Sequence, residues 1–315
     1  MAGLVDHGSH CAWRDYLDDI GAAIVSKAQV MKRRLFLGLA GGALCSCGEK
    51  SSGHSWKGIV FGIPVGIRFL NVTERIAEDL GQQSLKLAQK YEACFSLWDE
   101  NSELSLLNRE GVLPSPSEGL LDCLKIAKDF HTKSNGLFDP TIHSYLEWSK
   151  GEYAAGRIPD DLEAERRRKL VNFSRVEISE DLIKLEPGMS LSLNALVQGY
   201  VTDRVCEFLE EHVLSALVNF GEYRVVGSHP FDVEVEGQTM LIRHALAVSS
   251  GGGQRLSATA SANHLINPQD GVSPDPRRVI AIETRKAVNA DAIATIVALG
   301  GEVPEGCGTV RTWEF

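Results

Sequence analysis

Strand-period and helix-period segments follow one another along this chain without regular βαβ alternation. That order is the strongest constraint on the fold. A doubly wound parallel sheet needs a helix between successive strands, so the irregular mixture predicts an α+β domain. It implies a mixed, largely antiparallel sheet with packed helices. The run Lys57–Leu70 carries apolar residues at Ile59, Phe61, Ile63, Val65, Ile67 and Phe69, a period of two that predicts one strand. Thr73–Phe95 and Ser117–His131 predict amphipathic helices, the first with Ile76, Leu80, Leu85, Leu87, Ala88 and Tyr91 as its apolar positions. Gly136–Pro140 is a turn. Asp160–Leu170 reads as a charged helix whose basic run, Arg166–Lys169, is a solvated face. Val176–Leu185 predicts a hairpin around Glu180-Asp181, Leu196–Val213 a helix and Ala216–Phe220 a strand. Further strands are predicted at Phe231–Val235, His244–Val248 and Val279–Glu283, followed by a helix over Asn289–Leu299 capped by Asn289.

The N-terminal part has a different character. Met31-Lys32-Arg33-Arg34 precedes an apolar run, Leu35–Leu44, too short to cross a bilayer. This is the pattern of a secretory signal. Leu44-Cys45-Ser46-Cys47 resembles a bacterial lipoprotein box, and Arg33–Leu37 a twin-arginine export signal. The competing reading is a buried apolar helix with a stray cysteine pair. Met31 as the start would make residues 1–30 an upstream extension. The expected organisation is an extension and signal peptide over 1–46, a tether over 47–54 and one domain over 55–315. A lipid on Cys47 would anchor the exported protein in the bacterial cell envelope, facing the periplasm. Of the seven cysteines, Cys94, Cys123 and Cys206 lie in apolar helical patterns and are expected to be buried thiols. No C-x-x-C pair supports zinc or iron–sulfur binding. A net charge of −10 speaks against a nucleic-acid partner.

Four segments carry candidate chemistry. Asp291 and Thr295, at i and i+4, put a carboxylate and a hydroxyl on one helix face, a hard-oxygen pair suited to Mg²⁺. The spacing equally allows Asp291 to interact with the helix dipole while Thr295 packs. His264 precedes a turn built from Asn267-Pro268 and Asp270-Gly271, where a histidine serves either as a general base or as a surface residue. Ser249–Gln254 is glycine-rich, open to a phosphate or simply a flexible loop, and lacks the dinucleotide spacing. Trp98, in a polar stretch after a helix, can stack on a planar ring or pack partly buried.

Taken in order, these segments resemble the ApbE-type FAD:protein FMN transferases from Phe61 to Thr295. Phe61-Gly62-Ile63 is similar to the family's Met-Gly-Thr strand. Phe95–Asn108 is similar to its aromatic segment and Ser-Glu-x-Ser-x-x-Asn run. Gly136–Thr141 is close to Gly-x-Phe-Asp-x-Thr, and Ser192–Asp203 follows the frame Asp-Leu-Gly-Gly-Ile-Ala-Lys-Gly-Tyr-Ala-x-Asp. Leu217–Gly221 parallels the start of Leu-x-Asn-x-Gly-Gly-Asp, His264–Gly271 parallels His-x-x-Asp-Pro-x-Thr-Gly, and Asp291–Thr295 parallels Asp-Ala-x-Ala-Thr.

The resemblance implies FAD as substrate, Mg²⁺ as cofactor and a threonine-bearing acceptor protein, such as a subunit of a membrane redox complex. It places the metal between Asp291, Thr295 and the carbonyl of Ala195, and makes His264 the base. Phe61, Trp98, Leu137, Phe138, Asp139, Ser192, Gln198 and Ile266 would line the FAD, with Trp98 on the flavin ring. Several positions depart from the family. Ser192 stands for Asp, Gln198 for Lys or Glu, Asn267 and Asp270 for Asp and Thr, and Glu222-Tyr223 interrupts Gly-Gly-Asp. Two alternatives use the same site. An FAD pyrophosphatase would put water in place of the hydroxyl, and a lipoprotein could hold FAD without turnover.

Overall fold

The computed structural model describes residues 53–257 and 262–315. The signal-like segment, Cys11, Cys45, Cys47 and the tether up to residue 52 lie outside the described residues; Gly53 and His54 already belong to the first strand. In chain order the elements are β1 (Gly53–Val60), β2 (Ile63–Leu70), α1 (Glu74–Phe95), α2 (Glu103–Glu110), β3 (Val112–Pro114), α3 (Glu118–Lys133), α4 (His143–Ala154) and α5 (Asp161–Arg168). They continue as β4 (Glu177–Ile178), β5 (Leu182–Lys184), α6 (Asn194–Glu210), β6 (Ala216–Asn219), β7 (Tyr223–Val226), β8 (Phe231–Val235), β9 (Gln238–Ile242), β10 (Ala245–Ser250), β11 (Val279–Thr284), α7 (Ala287–Ala298) and β12 (Arg311–Glu314).

The run expected as one strand is a hairpin. β1 and β2 pair antiparallel across Phe61-Gly62, with Val60 opposite Ile63. Both turn residues are left-handed, φ 54° and 72°, the two-residue geometry whose twist suits paired strands. Trp56 and Val60 of β1 share the inward face with Val65, Ile67 and Phe69 of β2, while Ile59 points out. The period-two pattern ran unbroken through the turn, so periodicity could not reveal it.

The main sheet has the order β1-β2-β6-β7-β10-β11-β12, and its neighbours pair antiparallel. One face carries the larger core against α1, α3, α6 and α7. The other carries a smaller core beneath the β8–β9 hairpin, built from Leu70, Leu217, Phe231, Val233 and Ile242. A small sheet, β3-β5-β4, contains the hairpin expected around Glu180-Asp181. The result is the expected α+β domain. No helix among the described residues is long and apolar enough to cross a membrane.

Local chemistry sets the helix starts. Thr73, Ser102, Ser117 and Asp160 each accept a main-chain N–H of the first turn through their side chains. On α1 the buried stripe is Ala77, Leu80, Gly81, Ser84 and Ala88, and Ile76 is exposed. Gly81 receives the Trp56 ring from the sheet, a contact that needs no side chain on the helix and loosens the apolar spacing there. α5 buries nothing, and Arg166 and Arg167 pair with Glu163 on its solvated face. Cys123 and Cys206 are fully buried; Cys94 is only half-buried, its thiol donating to the Lys90 carbonyl.

Candidate active site

The site is organised by two antiparallel helices. α7 is apolar on nearly every side and is buried accordingly. Asn289 does not cap it. Instead Asp203, on α6, accepts the N–H groups of Ala287 at 2.9 Å and Val288 at 3.0 Å. Arg224 of β7 holds the same carboxylate at 2.7 Å and reaches Glu210 at 2.8 Å. One turn earlier on α6, the Gly199 N–H donates to Asp291 Oδ2 at 3.2 Å. Residues 199 and 203 of α6 thus meet 291 and 287 of α7, two rungs one turn apart that fix the register of the pair. A helical N–H at 199 is directed at the carbonyl of residue 195. The Asp291 carboxylate therefore lies at the Ala195 end of α6.

Gly199 permits this approach. A Cβ there would sit 2.4 Å from the Ala287 carbonyl oxygen and 2.7 Å from Val288 Cα. These are backbone atoms, which cannot swing aside. Gly199→Ala is expected to destabilise the fold by about 1–3 kcal/mol through overpacking. Equilibrium urea unfolding of the purified protein checks this, and wild-type stability would refute the close contact.

Burial dominates the electrostatics. It pushes the Asp291 carboxyl up to about 7, against the Gly199 hydrogen bond, which acts in the opposite direction. Glu222, on the β6–β7 turn, is also buried, and its carboxyl is driven well above the usual range by burial first and by the Asp291 charge second. No Lys, Arg or His forms an ion pair with either acid among the described residues. Thr295 lies one turn beyond Asp291 on the same face of α7. A desolvated carboxylate, a hydroxyl and the Ala195 carbonyl, with no organic cation beside them, make a donor set that fits Mg²⁺. Metal must displace the proton that burial retains on Asp291. Magnesium affinity is therefore expected to fall roughly tenfold per pH unit below about 7, measured by titrating metal-free protein between pH 5.5 and 8. Constant affinity over that range would exclude Asp291 as a ligand. The sign for stability is consistent: a raised carboxyl destabilises the metal-free fold as pH climbs from the unfolded value toward 7.

His264 sits on the loop between β10 and β11. Its N–H donates to the Gln254 carbonyl at 3.0 Å, and Nδ1 lies 3.4 Å from the same oxygen. A proton on Nδ1 places the basic lone pair on Nε2. Burial lowers the imidazole below its ordinary range, and the Lys150 ammonium pushes the same way while the Gln254 carbonyl opposes. The ring is consequently neutral at pH 7. Asn263 locks the loop, donating to the Pro274 carbonyl at 2.9 Å and accepting the Leu265 N–H at 3.0 Å. Asn267 and Asp270 hold the next turn by accepting the N–H groups of Gln269 and Val272, both at 2.8 Å. Arg168 ties α5 to the Asp270 carbonyl at 2.8 Å. Val248 of β10 donates to Glu222 Oε2 at 3.3 Å, and the same strand continues into Gly251–Gly253 and then Gln254, whose carbonyl holds His264.

The remaining expected residues divide. Phe61 and Trp98 flank the C-terminal part of α1: the Phe61 N–H donates to Glu92 at 2.8 Å, and Trp98 is 65% exposed, an indole open to a ligand. On α6, Gln198 packs against Gly221 of the β6–β7 turn. The Ser192 N–H donates to the Pro140 carbonyl at 2.9 Å, joining the 139–141 segment to the start of α6. Leu137, Phe138 and Ile266 are buried, Phe138 packing on Phe130 with ring centroids 6.0 Å apart. The Asp139 carboxylate is occupied by the Thr141 and Phe173 N–H groups and the Thr141 hydroxyl, with His131 Nδ1 at 3.4 Å. These four hold the loop in place.

Three further residues matter to the site: Gly199, Asp203 and Glu222. The i, i+4 pair Gly199–Asp203 was visible in the Gly-Tyr-x-x-Asp frame. Glu222 stood out in the chain only as a departure from the Gly-Gly-Asp frame, with nothing to join it to Asp291.

The fold is that of solved flavin transferases. The flavin transferase ApbE from Vibrio cholerae aligns with TM-score 0.68 at 17% identity, covering 84% of this chain and 94% of that one. A Pseudomonas stutzeri flavinyl transferase ApbE aligns with TM-score 0.67 at 16% identity, covering 82% and 89%. Residues 61–307 match the ApbE family, and the chain belongs to that family. Among curated proteins it is 22% identical to the FAD:protein FMN transferase of Klebsiella pneumoniae over 281 residues, 83% of this chain and 86% of that protein. It is 25% identical to that of Chlamydia pneumoniae over 289 residues, 85% and 90% respectively.

Proposed function

We propose that this protein transfers FMN from FAD to a threonine hydroxyl of an acceptor protein and releases AMP. The observation that carries the reading is the Asp291 carboxylate, seated on the Gly199 N–H of α6 with Thr295 one turn along α7. Asp291, Thr295 and the Ala195 carbonyl would hold Mg²⁺. A bound magnesium ion supplies charge neutralisation at the FAD pyrophosphate. His264 accepts the proton of the acceptor hydroxyl as its oxygen bonds to the FMN phosphorus. The phosphoanhydride P–O bond breaks, AMP leaves with that electron pair, and His264 returns its proton to solvent. Trp98 offers an open aromatic face to the flavin ring.

The test incubates the protein with FAD, Mg²⁺ and a threonine-bearing acceptor. Flavin fluorescence on the acceptor in a denaturing gel, with one AMP per label, is the expected result. Free FMN and AMP without labelling would replace transfer by pyrophosphatase chemistry, and FAD left intact would reduce the protein to a binder. The reading extends to an envelope protein anchored through lipidated Cys47 and serving a membrane redox subunit. Mass spectrometry of the membrane-extracted N-terminal peptide tests the anchor, and an unmodified Cys47 would refute it.

A further inference from the structure

We propose that Glu222 is a second carboxylate ligand of the cation held by Asp291, an assignment that rests on the metal reading above. Glu222 stands where the Gly-Gly-Asp frame has its second glycine. The side chain is 7% exposed, and Asp291 is 8% exposed. The Glu222 backbone is fixed on α6: the Thr202 hydroxyl donates to its carbonyl at 3.1 Å, and neighbouring Gly221 lies against Gln198. Residues 198 and 202 straddle Gly199, on which Asp291 is seated. Both acids therefore converge on one turn of α6. Glu222 Oε2 accepts the Val248 N–H at 3.3 Å; Oε1 accepts no hydrogen bond from the described residues, and the charge that acts on this carboxyl is that of Asp291. Burial disfavours the charge on both carboxyls, and no basic side chain is paired with either among the described residues. A divalent cation between them satisfies both and uses the oxygen that the fold leaves over.

The test measures Mn²⁺ binding by calorimetry on metal-free protein without FAD, for wild type, Glu222→Gln and Asp291→Asn. Glu222→Gln is expected to weaken Mn²⁺ binding by about 10–100-fold. Its metal-free melting temperature should stay level or rise, because the amide replaces an acid whose ionised form burial disfavours. Wild-type affinity in Glu222→Gln alongside lost affinity in Asp291→Asn overturns the Glu222 assignment and leaves the metal site standing. Wild-type affinity in both variants overturns the metal reading itself. If Glu222→Gln is destabilised or does not fold, anomalous diffraction from wild-type crystals soaked in Mn²⁺ decides. Manganese bonded to a Glu222 oxygen supports the assignment, and manganese bonded to Asp291 but not to Glu222 overturns it.

Discussion

Asp291→Asn is expected to abolish magnesium-dependent labelling of an acceptor while leaving the protein folded. The amide keeps an oxygen able to accept the Gly199 N–H, now 3.2 Å from Oδ2, so the α6–α7 rung survives. What is lost is the negative charge, and a neutral amide binds a divalent cation far more weakly than a carboxylate. Loss of a buried charge should also hold or raise the melting temperature of the metal-free protein, since burial disfavours the ionised acid. Activity and stability then move in opposite directions, which separates a ligand from a structural acid. The assay compares initial labelling rates with and without Mg²⁺, together with melting curves. Magnesium-dependent labelling at the wild-type rate would falsify the metal assignment.

The second large effect belongs to His264. His264→Ala should slow labelling by roughly 10²–10⁴-fold, the usual contribution of a placed general base. Removing the ring leaves Asn263 with its bonds to Leu265 and Pro274, so the loop keeps its anchor. FAD affinity, read from quenching of flavin fluorescence, is expected to change little, because a base acts on the acceptor hydroxyl. At saturating Mg²⁺ the wild-type rate should fall only below the pH at which an ordinary histidine protonates, since burial lowers this imidazole. That acidic limb should vanish in the variant. A variant rate within threefold of wild type would end the case for His264.

Much of the fold could be read in the chain because buried faces leave periodic traces. The helices over Thr73–Phe95 and Ser117–His131 were visible from their apolar spacing, loosely in the first, and the structure adds the capping hydroxyls. The β1–β2 turn was hidden because Phe61 looks like a strand residue, and its left-handed backbone leaves no mark on the apolar pattern. The short helix over Glu103–Glu110, read as a polar stretch, buries only Leu104 and Leu107. The site was legible where one element supplies both partners, as with Asp291 and Thr295. It was not legible where partners come from distant segments. Asp203 and Ala287 are 84 positions apart, and no local rule links them. Glu222 gains its meaning only from Asp291 across the helix pair.

The acids and the imidazole hang on different kinds of scaffold. The acids grip a helix pair bolted by Asp203, Gly199 and Arg224, in which backbone meets backbone. The imidazole rides on a segment stitched mainly by its own asparagines and aspartate, tied to α5 by Arg168. Drift in that stitched segment can shift the imidazole without repacking the helix pair that carries Asp291. Drift in the bolted pair has no such latitude.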